Sequence, residues 1–242
     1  MRNASSSAAG ETGRIALVAL FVTALVTAQL TAAKLLALPL PVTLPVVDAS
    51  VLVPGAALAY ALTFFASDCY SELYGRRAAQ AMVNVAFVMN FVLLALVWGT
   101  ILAPAANAEF AAQFRAVLGP STNIVAGSLL AYLVSQNWDV VAFHRLRELT
   151  DGRHLWLRNV GSTATSQAID TVIFVGVAFW VAPRVLGVGE ALPTTVLVSL
   201  IVGQYLLKLL IALVDTPFVY AVVGFVRSRT ASTPDLTFAD GE

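Results

Sequence analysis

Six long apolar runs follow one another along this chain, separated by short segments that carry most of the charge. They cover residues 15–36, 50–72, 78–102, 121–142, 160–182 and 195–226. A helix needs about 20 predominantly apolar residues to cross the hydrocarbon core of a bilayer. Each run meets that length, and none alternates with the period of two that marks a strand, so the pattern predicts helices. The sixth run is long enough to tilt or to project beyond the bilayer, and Pro217 within it predicts a kink. Pro39, Pro41 and Pro45 predict an irregular connection between the first two runs. Residues 107–118, with Glu109, Gln113 and Arg115 among alanines and phenylalanines, suit a short helix lying in the interface. The expected fold is therefore all-α, a polytopic membrane bundle of six transmembrane helices over residues 14–227. A disordered tail is expected over 1–13 and a polar tail over 228–242.

Composition agrees with that pattern. The chain is 59% hydrophobic and 12% charged, about half the charge of an average soluble domain. A soluble core cannot hide so much apolar surface, which leaves the bilayer as solvent. Formal net charge is zero, so nothing in the bulk charge calls for nucleic acid or another polyanion as partner. The first run is too long for a signal-peptide core and no small-residue cleavage site follows it, so it reads as a retained span. Cys69, the one cysteine, excludes disulfides within the chain and multi-cysteine metal sites.

The basic residues set the orientation. Arg2, Arg14, Arg76, Arg77, Arg145, Arg147, Arg153, Arg158, Arg227 and Arg229 fall at the termini or in the second and fourth connections. The other side holds Arg115, Arg184 and Lys34. By the positive-inside rule both termini are cytoplasmic.

Against this apolar background, two polar clusters nearly repeat one another: Ser135-Gln136-Asn137-Trp138-Asp139-Val140 and Ser166-Gln167-Ala168-Ile169-Asp170-Thr171. Gln and Asp three residues apart project from one face of a helix. A carboxylate at membrane depth costs roughly 2.5–3.5 kcal/mol on insertion scales, so two such clusters point to a polar site for a solute. At about 1.5 Å per residue, Gln167 and Asp170 lie about 10–15 Å into the fifth span from the cytoplasm. Lys208 is near the middle of the sixth, with Asp215 closer to the cytoplasm. Asp68, Glu72 and Asp139 sit at the cytoplasmic ends of the second and fourth spans.

Each of these residues also has a plainer reading. Asp68, Glu72 and Asp139 are placed to pair with Arg76, Arg77, Arg145 or Arg147. Asp170 and Lys208 suit a structural ion pair, although such pairs are weak evidence for stability. Amides such as Asn84 often only join helices. Trp138 suits an interfacial belt as well as a stacking role. His144 and His154, among arginines, suit solvation or local bonding. Metalloprotease, nucleophile-elbow, P-loop and dinucleotide signatures are all missing, so neither an enzyme nor a cofactor is indicated. Ser135 or Ser166 as a nucleophile lacks a histidine at its depth to activate it.

Longer motifs point to a family. The segment Thr63-Phe64-x-x-x-Asp68-x-x-x-Glu72-x-Tyr74-Gly75-Arg76-Arg77-Ala78 resembles a motif of the VUT family of vitamin-uptake-type transporters. Similar to the same family are Ser135-Gln136-x-Trp138-Asp139-Val140 with Phe143-His144, and His154-Leu155-Trp156-Leu157-Arg158-Asn159. So are Ser162-Thr163, Ser166-Gln167-x-x-Asp170-Thr171, and the ending Lys208, Asp215-Thr216-Pro217 and Tyr220. One departure is visible: Ala61-Leu62 stand where the family motif often has Phe-Pro, so a helix bend is missing or shifted to Pro54.

The resemblance implies import of queuosine or archaeosine precursors, the 7-deazaguanines preQ0 and preQ1, across the cytoplasmic (inner) membrane, to feed tRNA modification. It also implies likeness to the six-helix substrate-binding components of energy-coupling-factor importers, here working without the ATPase module. A guanine-like edge offers two adjacent N–H donors beside a carbonyl, which a carboxylate and an amide can match. Gln136, Asp139, Gln167 and Asp170 are the candidates for the base, followed by Asp68 and Asn159. Phe64, Trp138, Phe174 or Tyr205 could stack on it. Lys208, Glu72 and Asp215 are candidates for coupling or ion pairing. Three other functions remain open: a binding subunit that needs an ATPase module, an intramembrane enzyme using Asp139 and Asp170, and a membrane scaffold. A homo-oligomer is also open.

Overall fold

The computed structural model describes residues 2–39, 50–150 and 155–231, apart from the side chains of 2–10, 147, 155–160 and 227–231. Three earlier expectations lie outside the described residues: the connection through Pro41 and Pro45, His154, and the tail beyond Ala231. The described chain is mostly helical: α1 (Arg2–Thr31), α2 (Ala57–Tyr74), α3 (Arg76–Leu102), α4 (Ala108–Leu118), α5 (Ser121–Leu149), α6 (Leu155–Gly176), α7 (Ala182–Leu186) and α8 (Thr194–Ala231). Among the described residues, five segments are long and apolar enough to cross a membrane: Glu11–Thr31, Arg76–Leu102, Ala108–Leu146, Gly161–Leu186 and Thr194–Val226. The protein is thus a multi-pass membrane protein. The expected second span is not among the five. Its helix, α2, has 18 residues and carries Asp68 and Glu72, which lower its mean hydropathy.

Strands, not expected from the sequence, replace part of that second run. β1 (Leu35–Pro39) pairs antiparallel with β2 (Ser50–Pro54), with Leu35 opposite Pro54 and Pro39 opposite Ser50. Proline disfavours helix on its N-terminal side, and Val51 and Val53 suit a strand. Both point inward and are buried. Pro54 closes β2 and lies outside α2, so it bends no helix. The sheet lies against α8, where Leu52 N–H donates to Ser199 Oγ at 3.4 Å. Gly203 permits this approach, because a Cβ there would sit 2.2 Å from the Leu52 carbonyl oxygen.

Other boundaries shift for local reasons. α1 begins at Arg2, so the stretch expected to be a tail is helical; it contains no proline to stop the helix. α5 runs two turns past residue 142. Tyr74 and Arg76 are separated by Gly75 alone, whose φ of +87° makes the turn between α2 and α3. A π-helical segment, Val177–Val181, links α6 to α7. Pro183 cannot donate to the Phe179 carbonyl, which instead accepts from Leu192 N–H at 2.9 Å. The short helix expected near 107–118 forms as α4, where Asn107 Oδ1 accepts from Phe110 N–H at 2.9 Å. α8 continues through Pro217.

Two buried clusters organise the bundle. One joins α1, α2, α5, α6 and α8 through Ala28, Ala32, Ala59, Ile124, Phe174 and Leu200. The other joins α1, α2 and α3 through Phe21, Leu25, Ala66, Tyr70, Met82 and Ala86. The many alanines let helices approach closely, as is usual where lipid surrounds them. Val85, Val88, Phe91 and Leu96 of α3 are exposed, an apolar face suited to lipid rather than water.

Candidate functional site

A cavity of about 240 Å³ opens between the two clusters, bordered by Phe21 and Leu25 on one side and Ala131 and Phe174 on the other. Its polar end lies where α5, α6 and α8 meet. Lys208, only 9% exposed, donates from Nζ to Asp170 Oδ2 at 2.6 Å and to Thr171 Oγ1 at 3.1 Å. Ser135 Oγ donates to Asp170 Oδ1 at 3.3 Å. Thr171, fully buried, turns its own hydroxyl proton to the Gln167 carbonyl at 2.8 Å. The Gln167 side chain also lines the cavity, and its Oε1 is buried without a hydrogen-bond partner among the described residues.

This arrangement has spare acceptor capacity. A carboxylate offers about four lone-pair sites, and Asp170 spends one on Lys208 and one on Ser135. Asp170 and Gln167 can therefore accept N–H donors from a bound solute. Lys208 neutralises the carboxylate, which a bilayer would otherwise penalise.

Aromatic side chains form the remaining walls. Tyr60 and Phe64 of α2 stack with centroids 6.4 Å apart. Phe87 of α3 and Tyr132 of α5 stack at 4.4 Å with 19° between planes. Tyr60, Phe87 and Tyr132 are not among the residues singled out from sequence. A signal was present, because Ser128, Tyr132 and Ser135 form one polar stripe on α5, and Tyr60 and Ser67 share a face of α2 with Phe64.

Of the residues singled out from sequence, Phe64, Gln136, Gln167, Asp170, Phe174 and Lys208 meet around this cavity. Asp68 and Asp215 line a second cavity of about 430 Å³, which shares Phe64, Gln167 and Lys208 with the first. Those three side chains stand between the two spaces. Asp139, one turn beyond Ser135, lines neither cavity, and its Oδ1 is buried without a hydrogen-bond partner among the described residues. Trp138 is 44% exposed and faces away, with Nε1 donating to Thr165 Oγ1 at 3.1 Å. Tyr205 donates to the Ala164 carbonyl at 3.3 Å and lines neither cavity. Glu72, one turn beyond Asp68, also lines neither. The Asn159 side chain lies outside the described residues.

A polar pocket of this kind, inside a lipid-facing bundle, is what a carrier of a small polar solute needs. The family model described as "Putative vitamin uptake transporter" matches residues 54–222, which include α2, Lys208 and all the cavity lining named above except Phe21 and Leu25. The chain belongs to this vitamin uptake transporter family. It is a family of transporters and not of enzymes, so the alternative of an intramembrane enzyme at Asp139 and Asp170 is set aside. The chain is 34% identical over 176 residues to the "Probable queuosine precursor transporter" of Bacillus subtilis (strain 168), covering 72% of this chain and 73% of that one. It is 28% identical over 146 residues to the "Queuosine precursor transporter" of Escherichia coli (strain K12), covering 59% and 62%. No solved structure matches.

Proposed function

We propose that this protein is a secondary transporter that imports 7-deazaguanine precursors of queuosine or archaeosine, preQ0 or preQ1, across the inner membrane. The observation that carries the reading is the Asp170 carboxylate, held by Lys208 and Ser135 at the polar end of an aromatic-walled cavity. The two adjacent N–H donors of a guanine-like edge match the free lone pairs of Asp170. The Gln167 amide oxygen is available to a further donor, the pyrrole N–H. Gln136 adds an amide at the same cavity. Asp139, Asp68 and Asn159 are less direct in this reading, with Asp139 and Asp68 outside the central cavity. Cavity size supports a small base. About 240 Å³ is below the roughly 300–1,000 Å³ of drug-sized sites, which favours a bicyclic heterocycle over a flavin. The names of both relatives agree with this substrate class.

The proposal includes six crossings with both termini cytoplasmic. α2 runs antiparallel beside α1 over its length. A Cβ on Gly55 would sit 2.7 Å from the Thr31 carbonyl at one end, and Arg14 Nε donates to Tyr70 Oη at 2.9 Å near the other. Eighteen residues rise about 27 Å, close to the hydrocarbon thickness. Counting α2 as a crossing returns the chain to its starting side, in accord with the positive-inside rule. Movement of α2 against α6 and α8 at Phe64, Gln167 and Lys208 would connect the central cavity to the second one, where Asp68 and Asp215 lie.

Uptake of labelled preQ0 and preQ1 into proteoliposomes containing only this chain, without ATP and with imposed proton or sodium gradients, tests the reading. Accumulation of unaltered base is the expected result, and the effective gradient names the coupling ion. Binding without uptake would contradict autonomous transport and indicate a subunit that needs an ATPase module.

A further inference from the structure

Two polar residues of α3, Gln80 and Asn84, take no part in the ion-pair end of the cavity, yet they line up with a residue that borders it. Gln80, Asn84 and Phe87 fall at i, i+4 and i+7 and so form one stripe. That stripe meets Tyr132 of α5. The Tyr132 hydroxyl donates to Asn84 Oδ1 at 2.8 Å, and Gln80 Nε2 donates to the same oxygen at 3.0 Å. Gln80 Nε2 also donates to the Tyr132 hydroxyl, which closes a three-membered ring of hydrogen bonds. Phe87 covers one side of the Tyr132 ring. Tyr132 and Phe87 line the central cavity, whereas Gln80 and Asn84 do not.

We infer that Gln80 and Asn84 are positioning residues that hold the Tyr132 ring as a stacking surface for the planar base. The inference rests on the proposed transport of a deazaguanine. A tyrosine hydroxyl has one proton to give, and here Asn84 receives it. Tyr132 therefore offers the base a ring and no hydrogen-bond donor, and the donors of the polar edge are read by Asp170 and Gln167. A ring anchored at its hydroxyl and packed by Phe87 has lost its freedom before the solute arrives, so binding need not order it. Without the anchor the ring turns about its side-chain torsions and the stacking contact weakens. The two amides also bond each other on a largely apolar, lipid-facing helix, where an isolated amide is costly. They could achieve that with any partner, and the choice of a cavity-lining tyrosine sets this cluster apart.

Initial rates of labelled preQ0 uptake into proteoliposomes decide the matter, with thermal unfolding of the same purified variants as the structural readout. Gln80→Leu/Asn84→Leu and Tyr132→Phe should each raise KM roughly tenfold with Vmax within about twofold. Combining all three substitutions should add nothing, because one interaction is removed either way. Tyr132→Leu, which removes the ring itself, should raise KM further than Tyr132→Phe. Tyr132→Phe deletes a single oxygen and keeps the test readable if the leucine variants fail to insert. An unchanged KM together with a lower unfolding midpoint would overturn the inference and leave the cluster as a joint between helices. Full additivity of the KM effects would overturn it as well. Absence of uptake by the wild-type protein would instead strike the transport reading, and this inference with it.

Discussion

Lys208 Nζ lies 2.6 Å from Asp170 Oδ2, tying α8 to α6 at the polar end of the cavity. Removing one member of a buried pair leaves an uncompensated charge and costs about 3–5 kcal/mol, whereas removing both is often close to neutral. Lys208→Met alone should therefore lower the unfolding midpoint, and Asp170→Asn/Lys208→Met should recover most of it. Uptake should be lost in both, because the double variant has no carboxylate for the base. Normal transport by the double variant would mean that the pair is structural only.

Gln167 makes the complementary case. Its buried Oε1, without a hydrogen-bond partner among the described residues, costs the empty protein about 1–3 kcal/mol and becomes useful when a donor arrives. Gln167→Leu should leave thermal stability unchanged or improved, while raising the KM for preQ0 at least tenfold. A destabilised variant with unaltered KM would contradict this role.

Aromatic residues should divide by the side they face. Phe64 lines the cavity and Trp138 points away from it. Phe64→Leu should weaken uptake affinity roughly tenfold through lost stacking, and Trp138→Phe should stay within about twofold of wild type. Comparing the KM of the two variants checks the assignment. The reverse order would reinstate Trp138 as the stacking residue.

Packing of the sheet on α8 gives a stability test away from the site. Gly203→Ala would place a Cβ 2.2 Å from the Leu52 carbonyl oxygen. Either the strand or the helix must move, at a cost of about 1–3 kcal/mol. The unfolding midpoint should fall, and an unchanged midpoint would argue against the contact.

The placement of the five membrane-length segments was largely legible from the length of the apolar runs, because the bilayer rewards uninterrupted apolar sequence. β1 and β2 were not, since Leu35–Leu38 and Val51–Val53 look the same in a helix or a strand until the prolines beside them are weighed. At the site, Asp170, Gln167 and Lys208 stood out because charge and amides are rare at membrane depth. Asp139, the counterpart of Asp170 in the repeated motif, stood out for the same reason yet lies outside the cavity, whereas Gln136, the counterpart of Gln167, lines it together with Ser135 and Tyr132 of α5. Tyr60, Phe87 and Tyr132 went unnamed because aromatic residues are common in spans, and what sets them apart is partnership across helices.

The central claim is that Asp170 reads the edge of a guanine-like base. Equilibrium binding of preQ0 and of its analogue lacking the exocyclic amine, to wild-type protein and to Asp170→Asn, tests it most directly. The account predicts that wild type binds preQ0 at least about tenfold more tightly than the analogue, and that Asp170→Asn loses most of that preference. Equal affinity of wild type for both compounds, or full discrimination retained by Asp170→Asn, would contradict it.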